Sequence, residues 1–266
     1  MEILRRAWSK YYEDGFVSTF KVANRLLFSK LLNLTRVITP VERYALWNGV
    51  KVPPKVAPKY GLIDRYFEMI STDYSESEGG EVKSHKEFTK PGDTVVIIGG
   101  GRGVTTVHAV WESNPDGHVK VFEASKYCSD IVKEVVDINN VKNSCEINNA
   151  LVGSNIKVYG SEKYNRSIHP SELPKCDVLE MDCEGAELDI IRNIDIYPRV
   201  IIMEVHPNRY QESTQAVDEL DSMGYDIVSF KKNKGGDLSE IQFDEILDEC
   251  SRGEAPAPVV VGVKSS

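Results

Sequence analysis

The chain has 266 residues, 41% of them apolar and 27% charged, with a net charge of −9. That is ordinary globular composition, enough for one large α/β domain or one domain with an appendage. The acidic balance argues against a general nucleic-acid binder, and no apolar run approaches the ~20 residues that span a bilayer.

Five cysteines, Cys128, Cys145, Cys176, Cys183 and Cys250, are scattered and form no C-x-x-C pair. Neither a disulfide framework nor a zinc site is indicated, and no metal is expected. The stretch MEILRRAWSKYYEDGF lacks the apolar core of a secretory signal, so a reducing cytoplasm is the expected compartment.

Residues 1 to about 60 differ from the rest. Ile3, Leu4, Ala7, Trp8, Tyr11 and Tyr12 recur at helical spacing, as do Phe20, Val22, Ala23, Leu26, Leu27, Leu31, Leu32 and Leu34. Arg5, Arg6, Lys10, Lys21, Arg25, Lys30 and Arg36 make the region locally basic. Such helices can lie on a membrane surface, but packing on the main domain or on a second subunit is the favoured reading. Pro40, Pro53, Pro54 and Pro58 then read as a linker. The expected division is a helical extension over 1–75 that caps the active site, followed by one domain over 76–266. Short helices are expected at Gly61–Met69 and Glu81–Phe88.

Asp93 to Thr106, DTVVIIGGGRGVTT, organises the rest of the chain. Thr94 to Ile98 is an apolar, β-branched run of the kind that forms a buried parallel strand. Gly99, Gly100, Gly101 and Gly103 let the chain turn sharply and let a ligand approach the backbone. Val104 to Glu112 continues as a helix whose N-terminus offers free N–H groups to an anion. Strands are then expected at His118–Glu123, Cys145–Val152, Cys176–Asp182, Arg199–Val205, Tyr225–Phe230 and Ala257–Val263, with an extra one at Ile156–Tyr159. Helices are expected at Lys126–Asn139, capped by Ser125, from Glu184 to Asn193, and at Gln211–Met223. Strands that alternate with helices imply a doubly wound, mostly parallel sheet of seven strands, with ligands bound off the strands' carboxyl ends.

The dinucleotide fingerprint G-x-G-x-x-G would need Gly or Ala at Val104 or Thr106, so a nicotinamide cofactor fits poorly. Gly99-x-Gly101-x-Gly103 is instead the turn spacing of class I methyltransferases, which bind S-adenosylmethionine. Glu123, 20 residues after Gly103, can accept hydrogen bonds from both ribose hydroxyls of an adenosine. Asn149 and Ala150 end the third strand, where an amide or backbone N–H can read an adenine edge. Asp182, Glu184 and Glu187 crowd a strand end and helix start. Acids there stabilise the helix by themselves, but a sulfonium and an ammonium also suit carboxylates. Glu204 and His206 end the fifth strand, and His206 can act as a general base.

At VVIIGGGRGVTT, VFEAS, NALVG, LEMDCEGAELDII and PRVIIMEVHP the chain resembles the FkbM-like family of class I methyltransferases. The resemblance covers roughly residues 80 to 230. It implies a Rossmann-like fold, S-adenosyl-L-methionine as cofactor, and methyl transfer, often to a hydroxyl of a small-molecule, sugar or lipid acceptor. By the same resemblance Gly99, Gly100, Gly101 and Gly103 form the cofactor turn, Glu123 with Ala124 meets the ribose, and Asn149 and Ala150 the adenine. Asp182 meets the substrate or the methionine end. The expected catalytic set is His206 or Glu184 as base, with Asp182 and Glu204 positioning acceptor or cofactor. One departure stands out: the family's acid two residues before the first glycine is here Ile97, so that contact is missing or comes from elsewhere, with His85 and Lys83 as candidates. Two alternatives remain at this level, a nicotinamide-dependent oxidoreductase and a non-catalytic adenosyl-ligand-binding protein. No nucleic-acid partner and no integral membrane span is expected, and a homo-oligomer is compatible with the sequence.

Overall fold

The structure, a computed structural model, describes residues 44–53, 78–153, 164–210 and 212–265. The chain divides into two compact units, residues 1–45 with 53–72 and residues 46–52 with 73–266. The helices expected over residues 1–43 and 61–69 and the extra strand at 156–159 lie outside the described residues.

Two short strands, β1 (Ala45–Trp47) and β2 (Val50–Val52), form a hairpin. The prolines around this stretch predict a linker, yet Asn48 and Gly49 both take positive φ, the conformation that an Asn-Gly hairpin turn requires. Helix α1 (Gly79–Phe88) leads to β3 (Thr94–Ile98), the glycine turn and α2 (Val104–Ser113). Then come β4 (His118–Phe122), α3 (Lys126–Ile138), β5 (Cys145–Asn148), β6 (Ala150–Val152) and β7 (Arg166–Ile168). The remaining elements are β8 (Val178–Met181), α4 (Glu187–Asn193), β9 (Val200–Glu204), α5 (Gln215–Ser222), β10 (Tyr225–Lys231), β11 (Asp237–Leu238), α6 (Glu240–Ser251) and β12 (Val259–Lys264).

The main sheet runs β11-β10-β12-β9-β8-β3-β4-β5. Strands β5, β4, β3, β8 and β9 are parallel, and β12 lies antiparallel between β9 and β10. This is the doubly wound, mostly parallel α/β sheet that the alternation of strands and helices implies. Seven strands carry it, and the two-residue β11 adds an eighth at one edge. Side chains alternate across the strands. Val96, Ile98, Leu179, Met181, Ile201 and Met203 pack with Ile190, Ile191, Leu220, Phe243 and Leu247 of α4, α5 and α6. Val95, Ile97, Val121 and Ile202 point to the other face, where α1, α2 and α3 lie.

The expected strand over 145–152 is two strands in two sheets. The Glu123 N–H donates to the Asn148 carbonyl and the Ala150 N–H donates to the Glu123 carbonyl, so the ladder ends at Asn149. The Asn149 side-chain amide then ties the break to the Glu123 and Ala124 carbonyls, and β6 leaves to pair with β7. Helix α4 starts at Glu187, not Glu184, because Glu184 and Gly185 hold φ of +58° and +105°, outside the helical region. Helix α5 starts at Gln215 rather than Gln211, since residues 212–214 form a bend and turn. Strands β7 and β11 and helix α6 add to the elements that the sequence pattern predicts.

Candidate active site

A cleft of about 650 Å³, its open mouth included, lies off the carboxyl ends of β3, β4 and β8. Gly99, Gly101, Glu123, Ala124, Ala150, Asp182 and Glu184 all line it, together with apolar Ile98, Phe122, Leu151 and Val152. These are sequence-predicted site residues, and the fold brings them together.

The glycines divide by what surrounds them. At Gly99 a Cβ would stand 1.7 Å from the Asp182 carbonyl oxygen, so only glycine lets β3 pass β8 there. Gly103 faces Val132 and Val135 of α3 and lets that helix approach the turn, and Gly100 is closed in by Val121 of β4 as well as Val132 of α3. Gly101 is open, with the nearest atom 4.0 Å from its built Cβ, and its N–H donates to Glu123 Oε2 at 3.0 Å. Glu123 Oε1 accepts from the Ser125 N–H at 2.7 Å. Burial raises the Glu123 carboxyl above its usual range, and the N–H groups of Ser125 and Gly101 hold it back. Each carboxylate oxygen keeps lone-pair capacity for a further donor. Asn149 does not line the cleft; its amide secures the Glu123–Ala124 backbone, and its Oδ1 is buried without a hydrogen-bond partner.

The segment from Asp182 to Glu187 is a turn built around one carboxylate. Glu187 is fully buried. Its Oε1 accepts from the Cys183 and Gly185 N–H groups, both at 3.1 Å, and Oε2 accepts from the Tyr210 hydroxyl at 2.6 Å. Gly185 presses on Arg209, and a Cβ there would fall 2.4 Å from Arg209 Cγ. The remaining tie is to His206, whose Nδ1 lies 2.9 Å from Glu187 Oε1. A carboxylate can only accept, so Nδ1 carries the proton and Nε2 is left to exchange one. Nε2 faces Glu204 Oε2 at 3.5 Å, Glu184 Oε2 at 3.8 Å and Asp182 Oδ1 at 3.9 Å. Burial opposes charge on His206, but Glu187, Asp182 and Glu184 outweigh it and raise its pKa to about 8. Burial also opposes charge on Glu187, and its bonds to His206 and Tyr210 bring it below the usual carboxylate range. The four expected catalytic residues are therefore neighbours. Glu187 orients His206, a role that the crowded run of acids in the sequence does not single out.

Ile97 is fully buried in β3, in register with Glu180 of β8. His85 is not free to replace the missing acid's contact. Its Nε2 pairs with Glu180 Oε2 at 2.5 Å and its Nδ1 meets Thr89 Oγ1 at 2.9 Å, all buried. Lys83 is exposed, and neither residue lines the cleft. What α1 does bring to this face is acid. Burial raises Glu78 to about 7 against the pull of Arg102, and burial with Asp182 nearby raises Glu81 well above its usual value. Burial raises Asp182 and Glu204 as well, and Asn233 donates to Glu204 Oε1 at 2.6 Å. Sequence reasoning misses Glu78 and Glu81; their spacing with His85 on one helix face is the available signal.

No helix among the described residues is long and apolar enough to cross a membrane. No curated protein matches the chain significantly. Among solved structures the chain is similar to a SAM dependent methyltransferase from Aquifex aeolicus, with 13% identity and a TM-score of 0.44 over 71% of this chain and 91% of that one. It is also similar to precorrin-6y C5,15-methyltransferase from Geobacter metallireducens, at 14% identity and a TM-score of 0.43 over 70% and 87%. Aeropyrum pernix fibrillarin, solved in complex with natively bound S-adenosyl-L-methionine, shares 12% identity and a TM-score of 0.43 over 71% and 76%. Residues 167–227, which hold the Glu187 turn and His206, match the methyltransferase FkbM domain, the family that the sequence motifs resemble.

Proposed function

We propose that the protein is an S-adenosylmethionine-dependent methyltransferase that methylates a hydroxyl of a small-molecule, sugar or lipid acceptor. The observation that carries this reading is the joint position of Glu123 and the Gly99–Gly101 turn on one side of Asp182 and the Glu187-oriented His206 on the other. The turn and Glu123 suit a nucleoside sugar, and the apolar wall of Phe122, Ala150, Leu151 and Val152 suits a flat base. Asp182 and Glu184 present negative charge where a sulfonium donor would sit. Methyl transfer is an in-line displacement that needs positioning more than a protein nucleophile. A hydroxyl acceptor must lose its proton, and His206 Nε2 is the group aimed to take it. Asp182 and Glu204 position the acceptor or the donor, and Glu184 stands beside them as the second candidate base.

Calorimetry with S-adenosylhomocysteine tests the donor site. Binding is expected for the wild type, with at least about a tenfold loss in Glu123→Ala, where both sugar contacts go. Heat with NAD and none with S-adenosylhomocysteine would overturn the assignment. With an acceptor found from a panel of hydroxyl compounds, His206→Ala and Glu187→Gln are expected to lower kcat by about 10²-fold or more while nucleoside binding is kept. Full turnover in His206→Ala with loss in Glu184→Gln would move the base to Glu184.

A further inference from the structure

Beside the cleft, on the α1 face of the sheet, Glu81, Asp182 and Glu204 each bring a carboxylate oxygen within 4.8 Å of the other two. They come from separate elements: the first turn of α1, the residue after β8 and the last residue of β9. Three like charges this close cannot all stay ionised without a counter-charge. A proton shared between Asp182 and Glu204 relieves one pair. Burial beside Asp182 raises Glu81 as well, yet Glu81 is 1% exposed and its Oε2 has no hydrogen-bond partner. An oxygen buried without a partner, on a side chain whose carboxylate lies beside two others, leaves a place for a cation.

We propose that Glu81, Asp182 and Glu204 bind one divalent, oxygen-preferring cation of the Ca2+, Mn2+ or Mg2+ class. The donors are hard carboxylate oxygens with no thiol among them, which selects these ions over soft metals. Three oxygens spaced evenly about one ion at about 2.4 Å lie about 4.2 Å apart, so a Ca2+-sized ion touches all three once the side chains close in by up to a few tenths of an ångström. Mn2+ and Mg2+ need the side chains to close in further, by up to about 0.7 Å for Mg2+. Asn233 holds Glu204 by Oε1 and leaves Oε2 on the side of His206 and Asp182. Asp182 is half-buried and also lines the cleft, with its Oδ1 3.9 Å from His206 Nε2, so an ion held there would border the cleft and could offer it open positions. An acceptor hydroxyl that entered one of them would be more acidic. Only that last step rests on the methyltransferase reading; ion binding stands without it.

The test is a titration of the full chain, stripped with EDTA, with MnCl2 and CaCl2 by calorimetry, with the Mn2+ signal followed by electron paramagnetic resonance. One ion per chain with a dissociation constant below about 1 mM is expected. Glu81→Gln, with its circular dichroism unchanged, should weaken binding at least about tenfold and leave S-adenosylhomocysteine affinity within about twofold. If that variant does not fold, Asp182→Asn takes its place and should show the same loss of ion binding. No saturable binding by the wild type, or undiminished binding in the folded variant, overturns the site. So does a Glu81→Gln protein that loses nucleoside affinity while the wild type ignores both ions, for then the nucleoside's own ammonium is the cation. A failure of S-adenosylhomocysteine binding in the wild type sinks the methyltransferase reading and leaves the ion result untouched.

Discussion

At Gly99 a single methyl group would meet the Asp182 carbonyl head-on, with φ at +93°. Two residues on, at Gly101, the space is open and φ is +50°. The pair separates steric from conformational demand. Gly99→Ala should cost about 3 kcal/mol or more, because backbone must move as well as strain. Gly101→Ala should cost about 1–2 kcal/mol, the left-handed penalty alone. Urea denaturation of the two variants measures the difference, and equal midpoints would refute it. Spacing in the sequence shows that the turn needs glycines but not which contact each one serves. Gly103 leaves its side-chain space to α3 and Gly100 to Val121 of β4 and Val132 of α3, partners more than twenty residues away in the chain. The same limit hides Glu187: a run of acids at a strand end is visible, but the bonds to Tyr210 and His206 that organise it come from a later loop.

Helix α6 escapes a reading by apolar periodicity, although its start is written in the sequence. Ser239 accepts from the Gln242 N–H, and the Gln242 side chain accepts from the Ser239 N–H, a complete capping box ahead of Phe243, Leu247 and Cys250. Ser239 is exposed, so Ser239→Ala should cost about 1 kcal/mol with no effect on the cleft. A thermal melt beside nucleoside calorimetry checks both halves of that expectation. Long apolar runs bounded by glycine or proline are legible, as at β3, β8, β9 and β12, because burial on both faces writes itself into composition. Elements of two or three residues are not. Strands β7 and β11 owe their existence to the neighbours they pair with, Ala150–Val152 and Phe230–Lys231, rather than to their own residues. The β1–β2 hairpin falls between these cases: its Asn-Gly turn is a signal, masked by the prolines around it.

The sheet as a whole depends on β12. It is flanked on both sides, by β9 through Val259 to Val263 and by β10 through Val259 to Lys264. Val259, Val260 and Val261 are fully buried. Deleting residues 257–266 would leave two unpaired edges inside the core rather than one at its margin. The truncated chain should show no cooperative unfolding transition in urea, and a native-like transition would contradict the architecture. On the ribosome this arrangement imposes an order of events. The parallel half from β5 to β9 can pair as it emerges, while β10 must wait, already made, for a strand that is translated later but belongs in front of it. During that interval the newborn polypeptide exposes the edge that a chaperone would have to shield.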